Sequence, residues 1–210
     1  MRKIKLFLVV ACVVMLAACN TKPVETEKEM KYENETIATI MERRSIRKYK
    51  PETVARETLE KIMECGINAP NGQNKQSWEV RVVDNPTVMA EINAVIAEAY
   101  GEKAEMAVGC FRGAPVMVFI ARDLAHDFSA YDCGLLAENI MLSAQSLGVG
   151  SICLGSPVRI INDNEACAPV LERLGFSEGY EFCLCVGLGY ADEAPEAKPR
   201  MIEKVRFVEE

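Results

Sequence analysis

Three short polar segments carry the side chains that could do chemistry. Arg43-Arg44-Ser45-Ile46-Arg47-Lys48-Tyr49 sets four cations beside a serine hydroxyl within seven residues. Arginine forks suit a phosphate, because each offers paired N–H donors to two oxygens at once. A second basic group, Lys198-Pro199-Arg200, lies far away near the C-terminus. Between them Asn71-Gly72-Gln73-Asn74-Lys75-Gln76-Ser77-Trp78 supplies carboxamides, which offer donors and acceptors to a polar planar ligand. Taken singly, each segment reads better as a solvated face or an ordinary loop.

Other chemistries find less support. His126 is the only histidine, so a Ser-His-Asp or Cys-His catalytic pair would rest on it alone. It sits in the polar run 122–129 and is expected on the surface. The sequence holds nine cysteines but no C-x-x-C; Cys183-x-Cys185 is the only close pair. Both fall on one face of an expected strand, where free cysteine packs as a small hydrophobe more often than it binds metal. Gly187-Leu188-Gly189 ends a strand rather than opening a helix, which weakens a dinucleotide reading.

The 210 residues are 50% hydrophobic and 26% charged, with a net charge of −7. That fits one folded domain and excludes a disordered chain. An acidic body argues against nucleic-acid binding, which needs a basic face. Arg2, Lys3 and Lys5 precede an apolar run from Leu6 to Ala18 that is too short to span a bilayer. Residues 1–18 therefore read as a secretory signal peptide. Leu16-Ala17-Ala18-Cys19 resembles a bacterial lipobox, which would leave Cys19 lipidated and residues 19–34 as its tether. The expected location is exported and lipid-anchored to a bacterial membrane, with the lipid as the only membrane attachment.

Elements that would position the polar segments follow from periodicity. Ile37, Ile40 and Met41 give a short helical face, and Leu59, Ile62, Met63 and Ile67 give a second. Glu79–Val83 reads as a strand, and Pro86 opens a helix with Met89, Ile92, Ile96 and Ala99 on one side. Pro115–Ala121 is a continuous apolar run, expected as a buried strand. Ser129-x-x-Asp132 looks like a capping box for a long helix, apolar almost all round, that stops at Gly148. Ser151–Leu154 is a short strand, 163–174 a helix closed by Gly175, and Tyr180–Gly189 the last core strand. In that strand Phe182, Leu184, Val186 and Leu188 should share one face, and Cys183, Cys185, Gly187 and Gly189 the other. The small face would let a helix backbone or a cofactor come close. The tail from Pro195 reads as an arm ending in a strand. This alternation makes an α+β or α/β domain over 35–210.

Together the segments resemble the nitroreductase family of flavin enzymes. The family's R-x-S-x-R/K motif matches Arg43 to Arg47. Its P-S-x-x-N-x-Q-P-W segment matches Pro70 to Trp78, with Ser77 in place of proline. A G-L-G-like turn matches Gly148-Val149-Gly150, a strand end matches Leu154-Gly155, and the late G-Y-P and K-P-R pieces match Gly189-Tyr190-Ala191 and Lys198-Pro199-Arg200. The resemblance implies an α+β three-layer sandwich, with a mixed, mainly antiparallel sheet flanked by helices. It implies a homodimer that exchanges C-terminal arms and holds FMN at the interface. Arg43, Arg44, Ser45 and Arg47 would hold the phosphate and ribityl end, completed by Lys198 and Arg200. Asn74 would contact the flavin ring or ribityl chain, with Gln76 nearby. Backbone N–H of Leu154 or Gly155 would face the reactive edge. Leu154 stands where some members carry an acidic residue near that edge. The stretch 100–113 leaves little room for lid helices.

The implied activity is FMN-dependent transfer of electrons, by a ping-pong cycle, from NAD(P)H or another reductant to a nitro-aromatic, quinone or similar small acceptor. No side chain need be the chemical catalyst, since FMN carries the reaction. Two other readings stay open: a flavin enzyme for reductive dehalogenation or ring dehydrogenation, and a non-catalytic flavin-binding lipoprotein. Donor and location pull against each other. An exported protein would not meet the cytoplasmic NAD(P)H pool, so either the donor is a different reductant or Cys19 carries no lipid.

Overall fold

The computed structural model describes residues 32–209. The expected signal peptide (1–18), Cys19 and most of the tether fall outside them. Among the described residues no helix is long and apolar enough to cross a membrane. The first helix, α1 (Glu35–Glu42), is capped by Asn34, whose Oδ1 accepts the Ile37 N–H at 3.0 Å. The helix buries no residue. Beyond it come α2 (Arg56–Ile67), β1 (Trp78–Val83), α3 (Pro86–Tyr100), α4 (Ala104–Val108), β2 (Val116–Asp123), α5 (Ser129–Ser146), β3 (Gly150–Leu154), α6 (Ser156–Asn162), α7 (Ala168–Leu174) and β4 (Tyr180–Gly189). Asn85 caps α3 ahead of Pro86 by accepting the Thr87 N–H at 2.8 Å.

The four strands form one antiparallel sheet in the order β1-β2-β4-β3. β2 shows why helices cover both faces. Its residues Val116 to Ala121 are all buried. Val116, Val118 and Ile120 pack against Leu59 and Ile62 of α2 and Leu136 and Ile140 of α5. Met117 and Phe119 point the other way, into Ile92 and Ile96 of α3, Ile161 of α6 and Val170 of α7. Each such side chain contributes roughly 1.5–3 kcal/mol when taken from water. The result is three layers, helix–sheet–helix, as the family resemblance implies.

Five local features depart from the sequence reading. A β-bulge between β2 and β4 pairs Ala121 with Phe182 and Ile120 with Leu184, which leaves Cys183 as the extra residue. One inserted residue reverses facing, so Phe182 packs with Cys185 and not with Val186 and Leu188. The small face of β4 receives protein, not a ligand. A Cβ on Gly187 would lie 2.9 Å from Ala114 Cβ, and one on Gly189 would lie 2.7 Å from Pro115. Ser129 is the first helical residue of α5 and makes no cap; Phe128 precedes it, and Asp132 is engaged elsewhere. Among the described residues the tail forms a short 3₁₀ turn at Ile202–Lys204 and no strand after it, and its side chains there are exposed. The run 163–174 is also divided: a 3₁₀ turn (Glu165–Cys167) leads into α7, and α6 precedes it as a separate helix.

Candidate anion and cofactor site

The basic segment leaves α1 extended and is stitched into the sheet's edge. Ile46 N–H donates to Ser151 O at 3.0 Å, Lys50 N–H to Tyr190 O at 2.9 Å, and Asp192 N–H to Lys48 O at 2.9 Å. Ser45 bridges Ser151 in parallel and Tyr49 bridges Ala191 in antiparallel fashion. Extended backbone alternates its side chains, so Ile46 is buried while Ser45 and Arg47 face the other way. Tyr49 donates its hydroxyl to Ile46 O at 2.8 Å. Burial pushes the pKa of that hydroxyl well above the ordinary tyrosine value, reinforced by Glu193 and partly offset by Arg47.

Arg43, Arg44, Ser45 and Arg47 line a cavity of about 120 Å³ together with Pro195, Glu196, Lys198 and Arg200. The structure thus brings together the two basic groups that the sequence separates by some 150 positions. Five cations face one carboxylate, that of Glu196. Among the described residues only one of the five meets a carboxylate in an ion pair: Arg43 Nε stands 4.0 Å from Glu138. Arg43 Nη1 is buried with no hydrogen-bond partner. A buried orphan donor at the wall of a cationic cavity fits a bound anion with several acceptor oxygens. Arg44 differs from the others: it donates to Met41 O and Arg43 O, both at 2.8 Å, and also borders a second cavity of about 420 Å³ reaching Gln145 and Gly148–Gly150.

Asn74 and Gln76 lie on the loop between α2 and β1, exposed, and do not line the cationic cavity. Gln73, Asn74 and Gln76 all have positive φ, at 56°, 55° and 49°, a conformation disfavoured for residues with a Cβ. An unseen anchor holds this loop. Asp132 of α5, almost fully buried, accepts the Ser77 hydroxyl at 2.6 Å and the Gly72 N–H at 2.9 Å. Asn71 Oδ1 accepts the Gln76 N–H at 2.9 Å. His126 Nε2 lies 3.8 Å from Asp132 Oδ2 and is buried without a hydrogen-bond partner, its ring 5.7 Å from that of Phe128. The expectation of a surface histidine is therefore corrected: the polar run 122–129 folds back over Asp132. Ser77, where the family pattern has proline, ties the loop by a hydrogen bond where proline would stiffen it.

Leu154 also differs from expectation. Its side chain is buried among the α3, α6 and α7 residues. The exposed side chain at this strand end is Cys153. Burial pushes the Cys153 thiol up and neighbouring Arg43 pulls it back, which places the end of β3 beside the basic segment. Gly155, exposed, leads from β3 into α6.

Comparison with known proteins places the chain and its fold. The nitroreductase family model matches residues 40–190. An NADPH-flavin oxidoreductase from Vibrio harveyi is 31% identical, over 80% of this chain and 70% of its own. A putative NADH dehydrogenase/NAD(P)H nitroreductase from Archaeoglobus fulgidus is also 31% identical, over 74% of this chain and 85% of its own. Among solved structures, a nitroreductase with bound FMN from Desulfitobacterium hafniense superposes with a TM-score of 0.75 at 34% identity, covering 85% of this chain and all of that one. These relatives overturn the exported, lipid-anchored location. They are named for NADPH and NAD(P)H, and an anchor outside the cell would part the protein from that donor pool. The family model's span, the identity to these relatives and the helix–sheet–helix layers agree: this chain belongs to the nitroreductase family.

Proposed function

We propose that residues 35–210 form an FMN-dependent oxidoreductase domain that moves electrons from NAD(P)H to a small organic acceptor. The observation that carries the reading is the cationic cavity assembled from Arg43, Ser45, Arg47, Lys198 and Arg200, with an orphan Arg43 donor in its wall. Bound FMN supplies the redox chemistry, accepting two electrons from the donor and yielding them to a second substrate in a ping-pong cycle. The chain's own residues bind and orient. Arg43, Arg47, Lys198 and Arg200 hold the phosphate by charge-assisted hydrogen bonds, Ser45 adds a hydroxyl, and Arg44 closes the edge shared with the larger cavity. Backbone N–H at Leu154 or Gly155 would serve the reactive edge, where a fixed donor favours charge on the reduced ring.

Asn74 and Gln76 stand apart from this cavity in the single chain, which supports their reaching the flavin of a second copy in a homodimer. Two apolar surfaces fit that assembly. Ile40 and Met41 of α1 and Tyr131 and Leu135 of α5 are exposed, and the tail exposes Met201, Ile202, Val205, Phe207 and Val208, the last fully. Exposed apolar groups in this number mark contact surfaces. The acceptor is a nitro-aromatic, a quinone or a chemically similar molecule.

Purified protein should be yellow, release FMN on denaturation and bleach on anaerobic addition of NADPH or NADH. A colourless protein that takes up no FMN on reconstitution would overturn the cofactor reading. A flavoprotein that neither nucleotide bleaches would overturn the donor.

A further inference from the structure

All seven cysteines among the described residues are free, and the flavin site proposed above uses none as a ligand. Two of them meet. Cys133 from α5 and Cys183 from β4 line one cavity of about 410 Å³ with Arg122, Asn162 and Glu181. The bulge brings this about, because Cys183 is the residue without a partner on β2 and is re-aimed by the irregularity. The Cys133 thiol donates to Ala121 O at 3.7 Å, Ala121 pairs across the sheet with Phe182, the residue before Cys183, and Cys183 packs against the buried cluster that holds Cys133. Arg122 is fixed beside them by Glu181 Oε2, which accepts its Nε at 2.9 Å and its Nη2 at 2.6 Å.

We propose that Cys183 and Cys133 form a peroxide-reactive dithiol site, with Cys183 the attacking thiolate and Cys133 the resolving thiol. In the first step the Cys183 sulfur attacks one peroxide oxygen. The S–O bond forms, the O–O bond breaks, and the departing hydroxide takes a proton to leave as water. Sulfur is oxidised to a sulfenic acid. In the second step the Cys133 sulfur attacks the sulfenyl sulfur. The S–S bond forms, the S–O bond breaks, and a second water leaves with the Cys133 proton. One peroxide is reduced to two waters, and two thiols become one disulfide.

The surroundings divide the roles. The neighbouring Cys133 side chain lowers the Cys183 thiol below its ordinary value, against its own burial, and Arg122 adds to that while Glu181 opposes it. Cys133 is pushed the other way, by Cys183, by burial and by the charge of Asp132, its neighbour on α5. Cys133 is buried whereas Cys183 is half-buried at the wall of the cavity, so an incoming peroxide meets Cys183 first. Elsewhere burial works against thiolate: Cys110 is pushed up to about 12, Cys185 well above its ordinary value, and Cys153 and Cys167 upward. Exposure alone would select Cys153 as the reactive thiol, whereas the proposed site selects the less exposed Cys183.

The test uses holoprotein treated with substoichiometric hydrogen peroxide, then alkylated and mapped by peptide mass spectrometry. Because it reads mass and not turnover, it stands or falls apart from the flavin assignment. Cys183 should be modified before Cys153, because its thiol is lowered while that of Cys153 is pushed up by burial. The product should be a linked Cys133–Cys183 peptide pair lacking two hydrogen atoms. Cys133→Ser should leave a sulfenic acid on Cys183 that dimedone traps, and no linked pair. If Cys153 reacts first, or wild-type protein gives no linked pair, the proposal is overturned.

Discussion

The two halves of the cationic cavity are built on opposite principles. Arg43, Ser45 and Arg47 sit on a segment whose backbone is bonded to β3 and to the exit of β4. Their positions are fixed before any ligand arrives. Lys198 and Arg200 sit on an arm with no buried residue from Glu196 to Glu209 and with exposed apolar side chains such as Phe207, 89% accessible. The first half is positioned by the fold. The second must be positioned by what it binds, namely the anion and, in the proposed dimer, a second copy. Ligand affinity and fold stability should accordingly come apart in the arm and stay coupled in the segment.

Removing residues 195–210 tests this contrast most severely. The truncated chain should lose FMN affinity by more than about 100-fold, because two charge-assisted contacts go at once. Its melting should change little, and sedimentation should show a monomer. Arg200→Glu is the sharper version. FMN titration should weaken about 10–100-fold, with apoprotein melting unchanged, since Arg200 bonds only to carbonyls of its own tail. Ile46→Ala attacks the stitched half. It should cost about 2–5 kcal/mol in denaturant unfolding and weaken FMN binding in step, because a buried anchor beneath the arginines is lost.

Asp132→Ala concerns the loop that carries Asn74 and Gln76. It strands the Ser77 hydroxyl and the Gly72 N–H, costing about 1–3 kcal/mol of stability by denaturant unfolding. Asp132→Asn retains an acceptor and should lose less. The smallest effect belongs to Tyr49. Its pKa is raised on folding, so its contribution is complete below the unfolded value of 10.0 and is lost as pH rises beyond it. Thermal unfolding of Tyr49→Phe across that alkaline range should show a shallower fall than wild type.

What was legible in the sequence and what was not divide along the same line. Val116 to Ala121, Pro86 after Asn85, and the small residues of β4 announce buried strands, a capped helix and close packing, because periodicity and backbone sterics are local. Arg43, Ser45, Arg47, Lys198 and Arg200 were readable as a set only through the family resemblance; no spacing rule joins residues so far apart. The bulge at Cys183 was invisible, since an inserted residue leaves the apolar alternation of β4 looking regular. The burial of His126 depended on a distant partner, Asp132, whose own spacing from Ser129 suggested a cap. The facing of the β3 end was also hidden: strand alternation turns the Leu154 side chain into the core and the Cys153 side chain outward, while the Leu154 backbone stays at the strand end.

The central claim is that two remote basic segments make one phosphate site for a flavin. The most direct measurement is a paired titration of apoprotein with FMN and with riboflavin, which lacks only the phosphate. FMN should bind at least about 100-fold more tightly, and Arg200→Glu should remove most of that preference while leaving riboflavin affinity unchanged. Equal affinities for the two flavins in the wild-type protein would contradict the account.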